Sequence, residues 1–144
     1  MAIDVLLVED NPGDVRLTRE AFRAAGKDVH LHVACDGVEA MDFLRRHGSH
    51  SDAPRPALVL LDLNLPRMDG REVLARIKLD DDLKAIPTVI LSASDVRADI
   101  DSTYQLQANC YLTKPLQLDD LDRMVRCIND FWLSNVAALS KAVH

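Results

Sequence analysis

The chain alternates between short, wholly apolar runs and longer stretches in which apolar residues recur every three or four positions. Ala57 to Leu61 is the clearest run, and Asp62 ends it. An unbroken apolar run predicts a strand covered on both faces by helices, because a half-exposed strand would alternate. Val5 to Val8 follows the same rule and is ended by Glu9 and Asp10. Ile86 to Leu91 reads as another buried strand, with Ser92 where the others have acids. Asn109 to Thr113 is a last short strand, ending at Lys114-Pro115. Val29 to Cys35 is different: His30 and His32 alternate with Val29, Leu31 and Val33, and both histidines read as exposed strand residues.

Between these strands the period is helical. Asn11 caps a helix with Pro12 at its first position, and Val15, Thr18, Phe22 and Ala25 share a face until Gly26 stops it. Asp36 followed by Glu39 is a capping-box variant, opening a helix with Ala40, Met41 and Leu44 turned inward. Arg71 to Leu79 carries Val73, Leu74 and Ile77, and Asp95 to Leu106 carries Val96, Ile100 and Tyr104. From Leu118, the residues Leu121, Met124, Val125, Ile128, Trp132, Val136 and Leu139 mark a long terminal helix. Pro66 and Asp69-Gly70 are turn chemistry and make Leu63 to Gly70 a shaped loop. Arg45 to Pro56 loses all periodicity and is a surface loop, with His47 and His50 solvated in it.

The order βαβαβαβαβα requires right-handed crossovers and a parallel sheet clothed on both sides. Five strands and five helices in one α/β domain predict the flavodoxin-like, doubly wound plan with strand order 2-1-3-4-5. Strands one and three are adjacent in that plan. Glu9, Asp10 and Asp62 then meet at the carboxyl edge of the sheet, flanked by Ser92 and Lys114, where ligands of such sheets bind.

The composition narrows the function. The 144 residues, 48% hydrophobic and 28% charged, suit one globular domain. A net charge of -6, with no basic run, argues against nucleic acid and anionic membrane and suits a divalent cation. No secretory signal opens the chain and no segment approaches the ~18 apolar residues of a membrane span, so a cytoplasmic location is expected. Cys35, Cys110 and Cys127 match neither a disulfide framework nor a zinc pattern and read as reduced, buried thiols. Asp80, Asp81 and Asp82 cannot converge on one ion without strain and read as a solvated turn.

Three carboxylates gathered at one edge repel one another unless a cation screens them. Hard oxygen ligands select Mg²⁺, Mn²⁺ or Ca²⁺, and a Mg²⁺ that keeps waters and takes a phosphate oxygen suits so few protein ligands. A carboxylate can attack phosphorus to form an acyl phosphate. The cation, the Lys114 ammonium, and the Ser92 hydroxyl with backbone N-H groups would then serve the three phosphoryl oxygens. The plainer reading, in which Asp62 caps a turn, Lys114 forms a structural ion pair and Ser92 caps a helix, has to explain five such residues at strand ends.

Glu9-Asp10, Asp62 with Leu65-Pro66-Arg67-Met68-Asp69-Gly70 behind it, Ser92-Ala93 and Tyr111-Leu112-Thr113-Lys114-Pro115 together resemble the receiver domain of two-component response regulators. The resemblance covers about residues 3 to 133, with about 134 to 144 as an extension of the last helix. It implies a phosphoacceptor, not a metabolic enzyme: Asp62 accepts a phosphoryl group from a histidine kinase, and Glu9, Asp10, Asp62 and the Asn64 carbonyl hold Mg²⁺. It also implies that Lys114 pairs with the phosphate, that Ser92 moves to bind it with Tyr111 changing rotamer in concert, and that Lys114-Pro115 is cis. Gln107-Ala108 departs from the usual Gly-Ala, and Ser92 from the commoner Thr. Asn64 and Ser94 hold the two positions that modulate dephosphorylation in this family, and neither supplies an obvious base. A phosphohydrolase would need an acid where Asn64 stands.

A narrower resemblance, to single-domain regulators paired with phytochrome-type histidine kinases, rests on Val8 to Leu17, Asn109-Cys110-Tyr111, the Arg45 to Pro56 loop and Phe131-Trp132-Leu133. It implies output by protein contact, without an effector domain. Phe131 and Trp132 either pack internally or anchor a homodimer. The alternative of another class is a constitutive scaffold that keeps the acidic pocket as an inherited feature.

Overall fold

Five parallel strands form one sheet in the order β2-β1-β3-β4-β5 in a computed structural model that describes residues 3–25, 28–92, 101, 105, 110–113 and 118–128. The strands are β1 (Ile3–Val8), β2 (Val29–Ala34), β3 (Leu58–Leu61), β4 (Thr88–Ser92) and β5 (Cys110–Thr113). Among the described residues the helices are α1 (Pro12–Ala24), α2 (Gly37–Arg45), α3 (Gly70–Leu79) and α4 (Leu118–Ile128). The expected topology is therefore the observed one. Of the helix expected over Asp95 to Leu106, Asp101 and Gln105 are described, and both are helical. The rest of that helix, the terminal helix beyond Ile128 and the Lys114-Pro115 bond lie outside the described residues.

The apolar runs are explained by the two layers. Leu6 and Val8 face one core with Met41 and Leu44 of α2 and Val73, Leu74 and Ile77 of α3. Val5 and Leu7 face the other, with Phe22 of α1 and Val125 and Ile128 of α4. β3 lies inside the sheet, so each of its residues is buried. β2 lies at the margin and is mostly half-buried, which is why its sequence alternates. Its Leu31 carbonyl accepts a hydrogen bond from Arg19 Nη1 of α1 at 3.3 Å.

Helix ends follow the sequence closely. Asn11 Oδ1 accepts from the Asp14 N-H at 3.1 Å, with Pro12 opening α1. Asp36 Oδ1 accepts from the Glu39 N-H at 2.8 Å, and Glu39 Oε2 accepts in return from the Cys35 N-H at 3.0 Å. α3 begins one residue earlier than its periodicity predicts: Asp69 is its cap, accepting from the Arg71 N-H at 3.0 Å, and Gly70 is its first residue. A Cβ on Gly70 would stand 2.2 Å from the Asp62 carbonyl oxygen, so the helix can approach the end of β3 only through bare backbone.

Three readings need correction. Cys35 and Cys127 are free but exposed rather than buried, because they sit just past the end of β2 and on the outer side of α4. The side chain of Cys110 lies outside the described residues. His32 is only half-exposed: its Nε2 is 2.9 Å from Asp4 Oδ1 of β1, and its ring packs 5.3 Å from that of Phe43. The 45–56 loop is more ordered than its composition suggests. It holds a helical turn, Gly48–His50, with His50 half-buried against Phe43, and Arg46 Nε donates to the Ala53 carbonyl at 2.9 Å. The turn at Asp80 to Asp82 is as expected, with Asp80 Oδ1 accepting from the Asp82 and Leu83 N-H groups.

Candidate functional site

Parallel pairing places Val8 opposite Leu61, so the residues that follow each strand leave the sheet side by side. The Asp62 N-H donates to the Val8 carbonyl at 3.1 Å, and the Glu9 N-H to the Ala34 carbonyl at 3.0 Å. Glu9 is 3% exposed and Asp62 8%, while Asp10 is open to solvent. One carboxylate oxygen from each lies within 4.8 Å of the other two. Each buried member also has a backbone donor: the Asn11 N-H reaches Glu9 Oε1 at 3.2 Å, and the Asn64 N-H reaches Asp62 Oδ1 at 3.2 Å. Those bonds fix how the two carboxylates are turned.

Two unit charges at this separation repel by ~3 kcal/mol at an effective dielectric near 20. Buried carboxylates are tolerated when a cation or donors compensate them. Three hard oxygen donors that converge this closely suit Mg²⁺ or Mn²⁺. Among the described residues this is the one group of three Asp, Glu, His or Cys side chains that converges so closely. Asp4, His30 and His32 lie on one face of β1 and β2, with Asp4 Oδ1 3.8 Å from His30 Nδ1, but the three do not converge to that degree.

The β3–α3 loop, residues 62–69, forms one wall of the site. It is closed by the Gly70 N-H donating to the Leu63 carbonyl at 2.8 Å and the Met68 N-H to the Pro66 carbonyl at 2.7 Å. Arg67 adopts φ 64°, left-handed backbone that a side chain disfavours. Its Nε and Nη2 donate to Asp36 Oδ2 and Oδ1, both at 2.9 Å. The Arg67 guanidinium beside Asp36 holds that carboxyl below the usual carboxylate range. Local spacing could not have found this pair, because 31 residues separate its members and Asp36 already has a role as a helix cap.

Of the other expected site residues, Tyr111 is buried in the α2–α3 core, and β5 is paired with β4 so that Thr113 lies opposite Ser92. Asn64 is exposed at the start of the loop. Lys114, Ser94, Phe131, Trp132 and the side chain of Ser92 lie outside the described residues.

A five-stranded sheet in this order with an acidic cluster at its carboxyl edge is the arrangement of a receiver, and the family profile described as response regulator receiver domain matches residues 5–126. The chain belongs to the response regulator receiver family. It is similar to the response regulator Rcp1 of Synechocystis sp., with 49% identity over 132 residues, 92% of this chain and 90% of the relative. Among solved structures, the phosphorylated cyanobacterial phytochrome response regulator RcpA matches with a TM-score of 0.89 at 47% identity, covering 94% of this chain and 96% of that one. The Mn²⁺-bound form of Rcp1 matches with a TM-score of 0.85 at 49% identity, covering 91% and 94%. No helix among the described residues is long and apolar enough to cross a membrane.

Proposed function

We propose that this chain is a phosphorylation-controlled signalling switch of the cytoplasm. Asp62 takes a phosphoryl group from a histidine kinase of the phytochrome type, and output passes through protein contact, including a homodimer that Phe131 and Trp132 would help to form. The observation that carries this reading is the convergence of Glu9, Asp10 and Asp62, two of them buried, on one point at the sheet edge. Similarity to a phosphorylated phytochrome response regulator and to a Mn²⁺-bound relative supports the phosphoryl and metal parts.

In the proposed reaction an Asp62 carboxylate oxygen attacks the phosphorus of a phosphohistidine. The new O-P bond forms as the P-N bond breaks, and the imidazole leaves with the electron pair of that bond. The Asn64 N-H fixes the rotation of the Asp62 carboxylate, so one oxygen is turned by the loop and the geometry of attack is set before the donor arrives. Glu9, Asp10, Asp62 and the Asn64 carbonyl would hold Mg²⁺ or Mn²⁺, which supplies positive charge to a phosphoryl oxygen when bound. Lys114, next after β5, would neutralise a second oxygen, and the Ser92 hydroxyl would donate to the third. Movement of Ser92 would free space into which the buried Tyr111 ring turns further, altering the surface beside β4 and β5.

Incubation with acetyl phosphate and Mg²⁺ should label the wild type and leave Asp62→Asn unlabelled, as read by intact mass. Equal labelling of the two would overturn the assignment of Asp62. Transfer from an autophosphorylated phytochrome-type kinase, faster than from an unrelated kinase, tests the partner.

A further inference from the structure

We propose that Asp36 and Arg67 are positioning residues for the metal, a clamp that sets the β3–α3 loop so that Asn64 can present its carbonyl to the cation. This rests on the reading of Glu9, Asp10 and Asp62 as a divalent metal site. Three features fit the pair for that role. It is bidentate, with two N-H groups of one guanidinium on two oxygens of one carboxylate at 2.9 Å each. That geometry is available to arginine and not to lysine.

Second, the anchor is itself held. Asp36 is the cap of α2, its Oδ1 also accepts from the Glu39 N-H, and its side chain is only 16% exposed. Nearby, the β2–α2 turn and the β3–α3 loop touch through backbone: a Cβ on Gly37 would stand 2.3 Å from the Met68 carbonyl oxygen. The clamp therefore joins two segments that are already close, and one of them is fixed to the start of a helix.

Third, the other end is under backbone strain. Arg67 sits at φ 64°, at the centre of a three-residue turn closed by the Met68 N-H on the Pro66 carbonyl, a backbone that a side chain disfavours and that the pair with Asp36 helps to hold. The loop is short and pinned at both ends by the bond from the Gly70 N-H to the Leu63 carbonyl. A change of backbone at residue 67 has few bonds over which to dissipate before it reaches Asn64, three residues away and next but one to Asp62. The Asn64 N-H is held on Asp62 Oδ1, and the Asn64 carbonyl belongs to the next peptide unit, between that bond and residue 67, where a change of backbone at Arg67 reaches it.

The test is calorimetric titration of the unphosphorylated full chain with Mg²⁺ and with Mn²⁺, alongside the NMR position of the Asn64 amide without metal. Asp36→Asn removes the charge but keeps a competent helix cap. Arg67→Ala removes the fork and keeps the strain, while Arg67→Asn removes the fork but tolerates left-handed backbone. Expected is a Kd for Mg²⁺ raised about tenfold in Arg67→Ala, in line with residues that orient metal ligands. A smaller rise is expected in Asp36→Asn, and partial recovery in Arg67→Asn, with the Asn64 amide shifted in the same order. Circular dichroism should show all three folded, so a change in Kd reports the site rather than loss of structure. Wild-type binding with unchanged affinity and an unchanged Asn64 amide in the variants overturns the clamp alone. A folded wild type that binds neither ion overturns the metal reading and the clamp with it.

Discussion

Two clusters of titratable side chains stand at opposite ends of β1, and only one of them converges closely enough to hold a metal ion. At the carboxyl end, Glu9, Asp10 and Asp62 come off the ends of neighbouring strands and bring oxygens within 4.8 Å of one another. Toward the amino end, Asp4 faces His30 and His32 across the β1–β2 pairing, with separations of 3.8 and 2.9 Å. Both arise from parallel register, which sets Asp4 opposite His30 as it sets Val8 opposite Leu61. Along a strand, the pleat keeps side chains roughly parallel and spaced by the ladder. Past its end, the chain is free to turn, and backbone donors such as the Asn11 and Asn64 N-H groups can aim the carboxylates inward. Convergence thus comes from the loops, and proximity alone gives an ion pair.

The largest test of that contrast is Gly70→Ala. Its added methyl would collide with the Asp62 carbonyl and the Leu63 backbone, where neither neighbour is the far end of a flexible side chain. A loss of about 3 kcal/mol in unfolding free energy by denaturant titration is expected, at the upper end for overpacking. Next is the response to cation. Saturating Mg²⁺, at about 100 times its Kd, should stabilise the wild type by roughly 2.7 kcal/mol and raise its Tm. Asp10→Asn should be more stable than wild type without metal, since one of three repelling charges is gone, and should lose most of the Mg²⁺ response.

Asp4→Asn is expected to do much less. The pair it breaks is partly solvated, so the change in stability should stay within about 1 kcal/mol, with the Mg²⁺ response intact. A Mg²⁺ response abolished by Asp4→Asn would break the distinction between the two ends. The smallest effect concerns pH. The folded value of Asp36 is depressed, chiefly by its hydrogen bonds from Arg67, so its contribution is present above the unfolded carboxylate pKa of ~3.9. That contribution is lost as pH falls through the lower folded value. The stability gap between wild type and Asp36→Asn should be widest near neutrality and close on acidification through that window.

What could be read from residues in order, and what could not, divides along the same physical line. The strands showed themselves because burial on two faces demands apolar residues in succession, as in Leu58–Leu61. The caps at Asn11 and Asp36 showed themselves because they act within three residues. The acidic cluster was accessible one step further, through the strand order that the alternation of elements implies. Contacts between segments were not accessible. Nothing local tells Asp4 that it faces His32, or Arg67 that it faces Asp36, and both pairs depend on how separate elements settle against each other. Gly70 was read as a turn glycine, whereas its importance lies in the backbone it must approach. The cysteines failed for a related reason: an apolar-looking setting in sequence does not say which way a residue turns after a strand or around a helix.

The position of β2 at the rim of the sheet has a consequence for behaviour in concentrated solution. A free strand rim offers a template on which a strand of another molecule can add, the first step toward ordered aggregates. Here the Arg19 side chain lies over the Leu31 carbonyl. An incoming strand must displace a cation from its acceptor, so the rim is blunted against runaway polymerisation without the cost of an extra element to cover it.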